Sequence, residues 1–137
     1  MSTNIRSEVS KRNPYYISKH RYYELKHFCL QYPEFKRKYN ELCEKIPGGV
    51  IRVNNDDVVP VDESAAVRQR YLDLMQLIED CSSMTDPVIG PYILKGVTEG
   101  YTYSYFRTKY GIPCCKDIYY ECYRKFFFIL DCKKRDA

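Results

Sequence analysis

Few side chains in this sequence could carry out catalysis, and the most suggestive group is the adjacent pair Cys114 and Cys115, followed by Lys116. A helix N-terminus and a neighbouring ammonium group both lower the pKa of a thiol, so this pair could include a nucleophilic cysteine. Nucleophilic catalysis also needs a base that a third group holds in place, and the sequence offers no evident candidate. We therefore expect a protein that is not an enzyme, with Cys114 as a cap or turn residue.

Metal and nucleotide binding have less support in the sequence. The two histidines, His20 and His27, lie seven residues apart, and no cysteine stands at metal-ligand spacing from them. The pair Gly48 and Gly49 lacks the lysine and the helix that follow the glycines of a phosphate-binding loop. We expect no metal site and no cofactor.

The last third of the sequence predicts two helices separated by a tight turn. Thr102 can cap a short helix over residues 103–110, and Gly111 suits the left-handed conformation that ends it. Pro113 prevents that helix from continuing. A second helix begins at about residue 114, and its predicted core positions are Ile118, Cys122, Phe126 and Ile129 or Leu130. Helix, glycine-containing turn and helix is the pattern of the helix-turn-helix motif.

In a DNA-binding helix-turn-helix the second helix enters the major groove and the first crosses the phosphate backbone. The residues predicted to face the bases are Lys116, Tyr119, Tyr120 and Tyr123, and those predicted to contact phosphates are Arg107, Lys109, Arg124 and Lys125. The alternative is that the two helices only pack in a core, with their aromatic rings filling space. The spacing alone leaves both interpretations open.

Two helices in the first third of the chain are expected to form an antiparallel hairpin. The first runs from an N-cap at Ser18 to about Gln31, with apolar residues on one face. Pro33 ends it and opens the second, which the segment 47–49 closes. We expect a flexible loop over residues 50–62, within which a short β-hairpin could form.

A central helix and a fourth, shorter helix complete the predicted fold, which belongs to the all-α class. The central helix starts at a cap on Asp62 and ends near residue 83, and Asp86 with Pro87 opens the helix over about 88–97. The predicted organisation is a flexible tail over 1–15, a helical N-terminal part over 16–84 and a helix-turn-helix unit over 85–137. We expect these parts to form one compact domain.

Charge is segregated along the chain. The net charge is +4, but residues 1–45 carry 10 basic and 5 acidic residues, residues 46–92 carry 3 and 8, and residues 93–137 carry 9 and 5. Basic ends suit a phosphate backbone, whereas the acidic middle would repel it. Within that middle, Asp73, Glu79 and Asp80 could instead bind a protein by imitating a phosphate backbone.

The sequence predicts a protein of the cytoplasm. It has no stretch of about 18 to 20 uncharged apolar residues, which a membrane helix needs. The first residues have neither the apolar segment nor the cleavage site of a signal peptide. The seven cysteines are odd in number, and several stand at core spacing, so we expect them to be reduced.

Several short motifs give the chain a resemblance to known proteins. They are Ile17-Ser18-Lys19-His20, Tyr32-Pro33-Glu34-Phe35-Lys36, Tyr92-Ile93-Leu94-Lys95-Gly96-Val97-Thr98, Ile112-Pro113-Cys114 and Tyr119-Tyr120. From residue 16 onward the chain resembles small phage and prophage proteins of Gram-positive bacteria, similar to late transcriptional activators of the RinA and ArpU kind. The resemblance implies a C-terminal helix-turn-helix like region four of sigma factors. It also implies double-stranded DNA as the partner and the cytoplasm of a bacterial host cell as the location.

One position departs from the family pattern, which places a run of arginines after the tyrosine pair. This chain has Glu121-Cys122-Tyr123-Arg124 there, so only Arg124 and Lys125 remain basic. Fewer phosphate contacts would weaken binding and flatten its dependence on salt. The leading interpretation is a phage-derived transcriptional regulator, which could act as a homodimer. The alternative is a phage-encoded inhibitor or adaptor that binds RNA polymerase or a CRISPR-type defence nuclease.

Overall fold

A computed structural model describes residues 13–44, 50–54 and 57–136. These residues are mostly helical, which confirms the predicted helical class. In chain order the elements are α1 (Lys19–Leu30), α2 (Tyr32–Cys43), β1 (Val50–Asn54), β2 (Asp57–Pro60), α3 (Val61–Ser83), α4 (Gly90–Glu99), α5 (Tyr103–Tyr110) and α6 (Lys116–Asp136). The strands β1 and β2 pair antiparallel within the segment predicted as a loop, with Val50 opposite Pro60.

The start and end of α5 agree with the sequence prediction. The Thr102 hydroxyl accepts a hydrogen bond from the backbone N–H of Tyr105 at 3.3 Å, which satisfies a donor of the first turn. Gly111 ends the helix at φ 60° and ψ 48°, a left-handed conformation that costs glycine little. These contacts confirm the predicted cap and terminator.

The predicted fourth helix begins two residues later than expected. The Asp86 carboxylate accepts hydrogen bonds from the N–H groups of Val88 and Ile89, at 2.8 and 2.9 Å. This cap holds residues 87–89 in a turn, so that α4 starts only at Gly90. The chain therefore turns sharply between the end of α3 and the start of α4.

The described chain divides into two compact units, one of residues 13–30 with 78–136, called here the core unit, and one of residues 31–77, called the middle unit. This division differs from the predicted boundary between residues 84 and 85. In the core unit α1 contacts α4 and α6, so the first helix belongs with the C-terminal helices. Such long-range packing cannot be read from local periodicity.

The predicted tail over residues 1–15 falls largely outside the described residues, which begin at 13. Within the described part, the Tyr15 ring lies 5.8 Å from the ring of Phe128. This contact holds the chain before α1 against α6. Burial of an aromatic ring is favourable, even though the sequence around Tyr15 looks polar in its local pattern.

No helix of the described ranges has the length and apolar character needed to span a membrane.

Aromatic rings form much of the interior of the core unit. Tyr22 on α1 packs edge-on against Phe127 of α6, with the ring centroids 5.1 Å apart, and its hydroxyl lies 3.2 Å from that of Tyr123. The most fully buried side chains there are Tyr119, Phe106, Phe126, Phe127, Leu25, Ile78, Ile93, Leu130, Cys29 and Cys81. Burying one large apolar side chain contributes about 1.5–3 kcal/mol, so this cluster dominates the stability of the unit.

The middle unit contains α2, the two strands and the first part of α3. The Phe35 and Tyr71 rings lie 6.2 Å apart, and Leu42 is buried. Phe35 and Leu42 lie seven residues apart on α2, the spacing of one helical face.

A partly buried ion pair joins α1 to α6 in the core unit. Arg21 donates from Nε to the Asp131 carboxylate at 2.6 Å, and Arg135 donates to the same carboxylate at 3.0 Å. Asp131 is buried, with 6% of its surface exposed. The hydrogen bond with Asp131 raises the pKa of Arg21 above its usual value. The pair fixes α1 against α6 by charge as well as by ring packing.

Asp131→Asn is expected to lower the free energy of unfolding by about 1–3 kcal/mol, because the buried charge-assisted bonds of Arg21 weaken. The matched control is Glu24→Gln, which removes the other carboxylate paired with Arg21, at 3.4 Å and mostly exposed. That change should cost less than about 0.5 kcal/mol. Urea unfolding of both variants is the measurement. Equal losses of unfolding free energy would show that the buried ion pair contributes no more to stability than the exposed one.

Candidate nucleic-acid interface

The connection between α5 and α6 is pinned at both ends. At its start the N–H of Ile112 donates to the carbonyl of Phe106 at 3.3 Å. At its far end the Tyr103 hydroxyl donates to the carbonyl of Cys114 at 2.7 Å. Because these bonds hold backbone groups of Ile112 and Cys114, they fix the path of the backbone through the connection, residues 111–115. The start of α6 is thereby held in place relative to α5.

The faces of α5 and α6 meet through aromatic rings. Phe106 is fully buried and lies 5.8 Å from the ring of Tyr119, which is equally far from Tyr103. The Tyr120 hydroxyl accepts a hydrogen bond from the Tyr103 N–H at 3.4 Å. The two helices therefore form a packed pair, with α4 close behind it, since a Cβ on Gly96 would collide with the Tyr119 hydroxyl.

The structure corrects the predicted exposed face of α6. Tyr119, Tyr120 and Tyr123 were expected to face DNA, but they are 0%, 6% and 9% exposed. Ile118, predicted as a core residue, is 51% exposed. Three of the predicted core positions, Cys122, Phe126 and Leu130, are buried as expected. The buried face also takes in the rings at 119, 120 and 123 in place of Ile118, because these rings bury more apolar surface than Ile118 would. These tyrosines cannot be direct DNA contacts in this conformation.

Burial also changes the chemistry of these tyrosines. Desolvation raises the pKa of Tyr119 and of Tyr123 far above the usual range, so both hydroxyls stay neutral at alkaline pH values where an exposed tyrosine ionises. The Tyr119 hydroxyl is buried and has no hydrogen-bond partner among the described residues. Its role is to fill the space beside Gly96, at the cost of a desolvated hydroxyl.

Three of the predicted phosphate-binding or base-facing cations are exposed near the connection. Arg107 and Lys109 lie in the last turn of α5, and Lys116 is the first residue of α6. The exposed apolar side chains of Tyr110 and Ile118 flank them in the sequence, at 48% and 51% exposure. Sequence reasoning missed these two residues as surface groups. We call the set Arg107, Lys109, Tyr110, Lys116 and Ile118 the α5–α6 face.

The other two predicted cations are engaged inside the fold. Arg124 is half-buried and forms an ion pair with Glu121 at 3.4 Å. Lys125, also half-buried, donates from Nζ to the carbonyl of Thr85 at 3.2 Å. The Arg124 Nη2 and the Lys125 Nζ therefore have partners with which a phosphate would compete. The Arg124 Nε is buried without a hydrogen-bond partner among the described residues.

The three acidic residues predicted to bind a protein do not belong to one unit. Asp73 lies in the middle unit, exposed, and accepts a hydrogen bond from the Gln69 amide at 2.8 Å. Glu79 and Asp80 lie in the core unit, at the end of α3. Of the three acidic residues predicted to bind a protein, Glu79 and Asp80 therefore lie in the core unit.

Cys114, at the end of the connection, does not have the environment of a reactive nucleophile. Partial burial is the main cause that raises the pKa of the Cys114 thiol, the opposite of the shift that activates a cysteine. Cys114 is a turn residue, since its N–H donates to the carbonyl of Ile112 at 2.9 Å. Within the described ranges, no three histidine, cysteine or acidic residues lie together as metal ligands.

Comparisons with protein-family models, with curated proteins and with solved structures give no match for this chain. The resemblance to phage late activators therefore stays a prediction. The residues and geometry of the chain itself must support any function proposed for it.

Proposed function

We propose that α5 and α6 act as a helix-turn-helix that binds double-stranded DNA through the α5–α6 face. The observation that carries the proposal is the position of Arg107, Lys109 and Lys116. All three are exposed, and they lie at the end of one helix and the start of the next, on either side of a pinned connection. In a helix-turn-helix this is where the protein meets the major groove and its flanking phosphates.

In the proposed complex the N-terminal turns of α6 enter the major groove. Lys116 reaches a guanine edge or a phosphate, and the exposed Ile118 side chain contacts a thymine methyl group. Arg107 and Lys109, on the last turn of α5, contact the phosphate backbone. The buried tyrosines of α6 hold the two helices together and do not touch DNA.

The biological role we propose is transcriptional regulation in a phage or prophage, as the sequence resemblance implies. Regulators of this type commonly bind as dimers to two half-sites, and a homodimer would place two α6 helices about one DNA turn apart. A dimer would also compensate for a face with only three exposed cations.

The proposal is tested by selection from a pool of random duplexes with the purified chain. We expect the retained duplexes to share a short motif that contains an A·T pair, because Ile118 offers an apolar contact to thymine. The same pool, copied with uracil in place of thymine, should bind about tenfold more weakly, a loss of about 1.4 kcal/mol. Failure to retain or enrich any duplex at low salt would contradict the proposal.

The second candidate function is a protein-binding inhibitor or adaptor that uses the same face, with RNA polymerase or a CRISPR-type defence nuclease as the expected partner. The exposure of Tyr110 and Ile118 favours it, because these side chains make the face more apolar than most DNA-binding surfaces. Arg124, a further predicted phosphate contact, is paired with Glu121. Pull-down from host lysate with and without nuclease separates the two functions. The second candidate would be favoured by a partner whose binding survives nuclease treatment. The double variant Tyr110→Ser with Ile118→Ser should abolish that binding.

A further inference from the structure

A groove lies in the core unit where α3 ends and α4 begins, and it belongs to neither helix of the α5–α6 face. Its volume is about 470 Å³, and its apolar lining comes from Pro87, Pro91 and Leu94. Glu79 and Asp86 add two carboxylates to the same lining. A volume of this size is within the range of ligand-binding pockets.

The walls of the groove are held by short-range contacts. Thr85 donates from its hydroxyl to the carbonyl of Ser82 at 2.6 Å, which fixes the chain as it leaves α3. Gly90 brings the start of α4 close to the same carbonyl, since a Cβ there would lie 2.7 Å from that oxygen. The two prolines have restricted backbones and no N–H groups. The groove is therefore preformed, and its proline residues offer no backbone donors to a ligand.

The connection between α3 and α4, which contributes to the groove, also carries exposed apolar side chains. Met84 and Val88, which lie on the connection that forms the groove, are 52% and 58% exposed. They are the two most exposed large hydrophobic side chains among the described residues. Single exposed apolar residues are ordinary, but two on the connection that contributes Asp86 and Pro87 to the groove add apolar surface that a partner could cover.

The charge of the groove selects the partner. Asp86 stays ionised, because hydrogen bonds from the Ile89 and Val88 backbones lower its pKa. Glu79 shares the lining with it, and Asp80 is exposed one residue further along α3. Lys125 is the cation that acts on Asp86, but its Nζ is bound to the Thr85 carbonyl. The two carboxylates that line the groove, those of Glu79 and Asp86, repel phosphate and attract a cation.

We propose that this groove docks a segment of a partner protein that presents an aliphatic or aromatic side chain next to a lysine or arginine. The apolar side chain would occupy the space between Pro87, Pro91 and Leu94, and the cation would lie against Glu79. Nucleic acid is disfavoured by the carboxylates. Because the groove and the α5–α6 face use different residues, this proposal does not depend on DNA binding.

The test is selection of random 12-residue peptides displayed on phage against the full chain, followed by affinity measurements on the most enriched synthetic peptide. We expect the enriched peptides to carry lysine or arginine within two residues of leucine, isoleucine, phenylalanine or tryptophan. Glu79→Lys should weaken binding about tenfold or more, through loss of attraction and added repulsion. Glu99→Lys, which makes the same charge change at the other end of α4, should leave the affinity within about twofold.

A second variant, Met84→Ser with Val88→Ser, keeps the experiment informative if Glu79→Lys unfolds the chain. Both side chains are more than half exposed, so the fold should tolerate the change, and we expect at least about fivefold weaker binding from lost apolar contact. Enriched peptides without a cation, or an affinity unchanged by both variants, would overturn the proposal. A wild-type dimer that the double variant dissociates would also overturn it, because the occupant would then be a second copy of the chain.

Discussion

Gly96→Ala is expected to lower the free energy of unfolding by about 1–3 kcal/mol, although alanine is normally the better helix residue by up to about 1 kcal/mol. The reason is the Tyr119 hydroxyl, which occupies the space where the new methyl group would go. Tyr119 is fully buried against the rings of Tyr103, Phe106 and Tyr120, so it cannot swing away. Thermal or urea unfolding of the purified variant measures the loss.

Removal of the hydroxyl supplies the control. Tyr119→Phe alone should leave stability unchanged or raise it by about 1 kcal/mol, because the hydroxyl is buried without a partner among the described residues. Combined with Gly96→Ala, it should restore most of the lost stability, which gives a strong coupling between the two sites. A Gly96→Ala variant as stable as the parent, or a double variant with no recovery, would contradict the packing described for α4 against α6.

The second large effect concerns DNA affinity. Replacing Arg107, Lys109 and Lys116 together with glutamine should weaken duplex binding on the order of 100-fold, at about 1 kcal/mol for each lost charge contact. These side chains are exposed, so the unfolding midpoint should stay close to that of the parent. Fluorescence anisotropy with a duplex recovered from the selection measures the change.

The matched control removes three other exposed lysines, Lys19, Lys36 and Lys133. It changes the net charge by the same amount but leaves the α5–α6 face intact. We expect less than about threefold loss of affinity, because nonspecific attraction to the whole chain is screened at physiological salt. Equal losses in the two triple variants would mean that DNA responds only to net charge and that this face is not the interface.

Both ends of α5 could be predicted because local chemistry sets them. A threonine hydroxyl caps α5 and a glycine in the left-handed conformation ends it, and both contacts involve residues close in sequence. The burial of the α6 tyrosines in place of Ile118 could not be predicted in the same way. Tyrosine suits both a wet surface and a core, so the pattern around Tyr119 permits two faces, and only packing against α1, α4 and α5 selects one.

The basic residues show the same limit of prediction from the sequence. The exposure of Arg107 and Lys109 could be predicted from their place at the end of a short helix, and both are exposed as expected. Lys125 looks equivalent in the sequence, but its Nζ reaches the Thr85 carbonyl, 40 residues away in the chain. The groove beside α4 could not be predicted from the sequence either, because it arises from the angle between two helices and from its prolines. The sequence identifies these prolines only as signals for the start of a helix.

The dependence of DNA affinity on salt is the decisive measurement for the proposed interface. For the selected duplex, log Kd plotted against log salt concentration has a slope that counts the phosphates neutralised, about 0.9 for each in B-form DNA. We predict that the triple variant of Arg107, Lys109 and Lys116 has a slope smaller than the parent by about 2 to 3, whereas the control triple variant keeps the parental slope. Identical slopes for the parent and the variant of the α5–α6 face would show that these three cations do not contact the phosphate backbone.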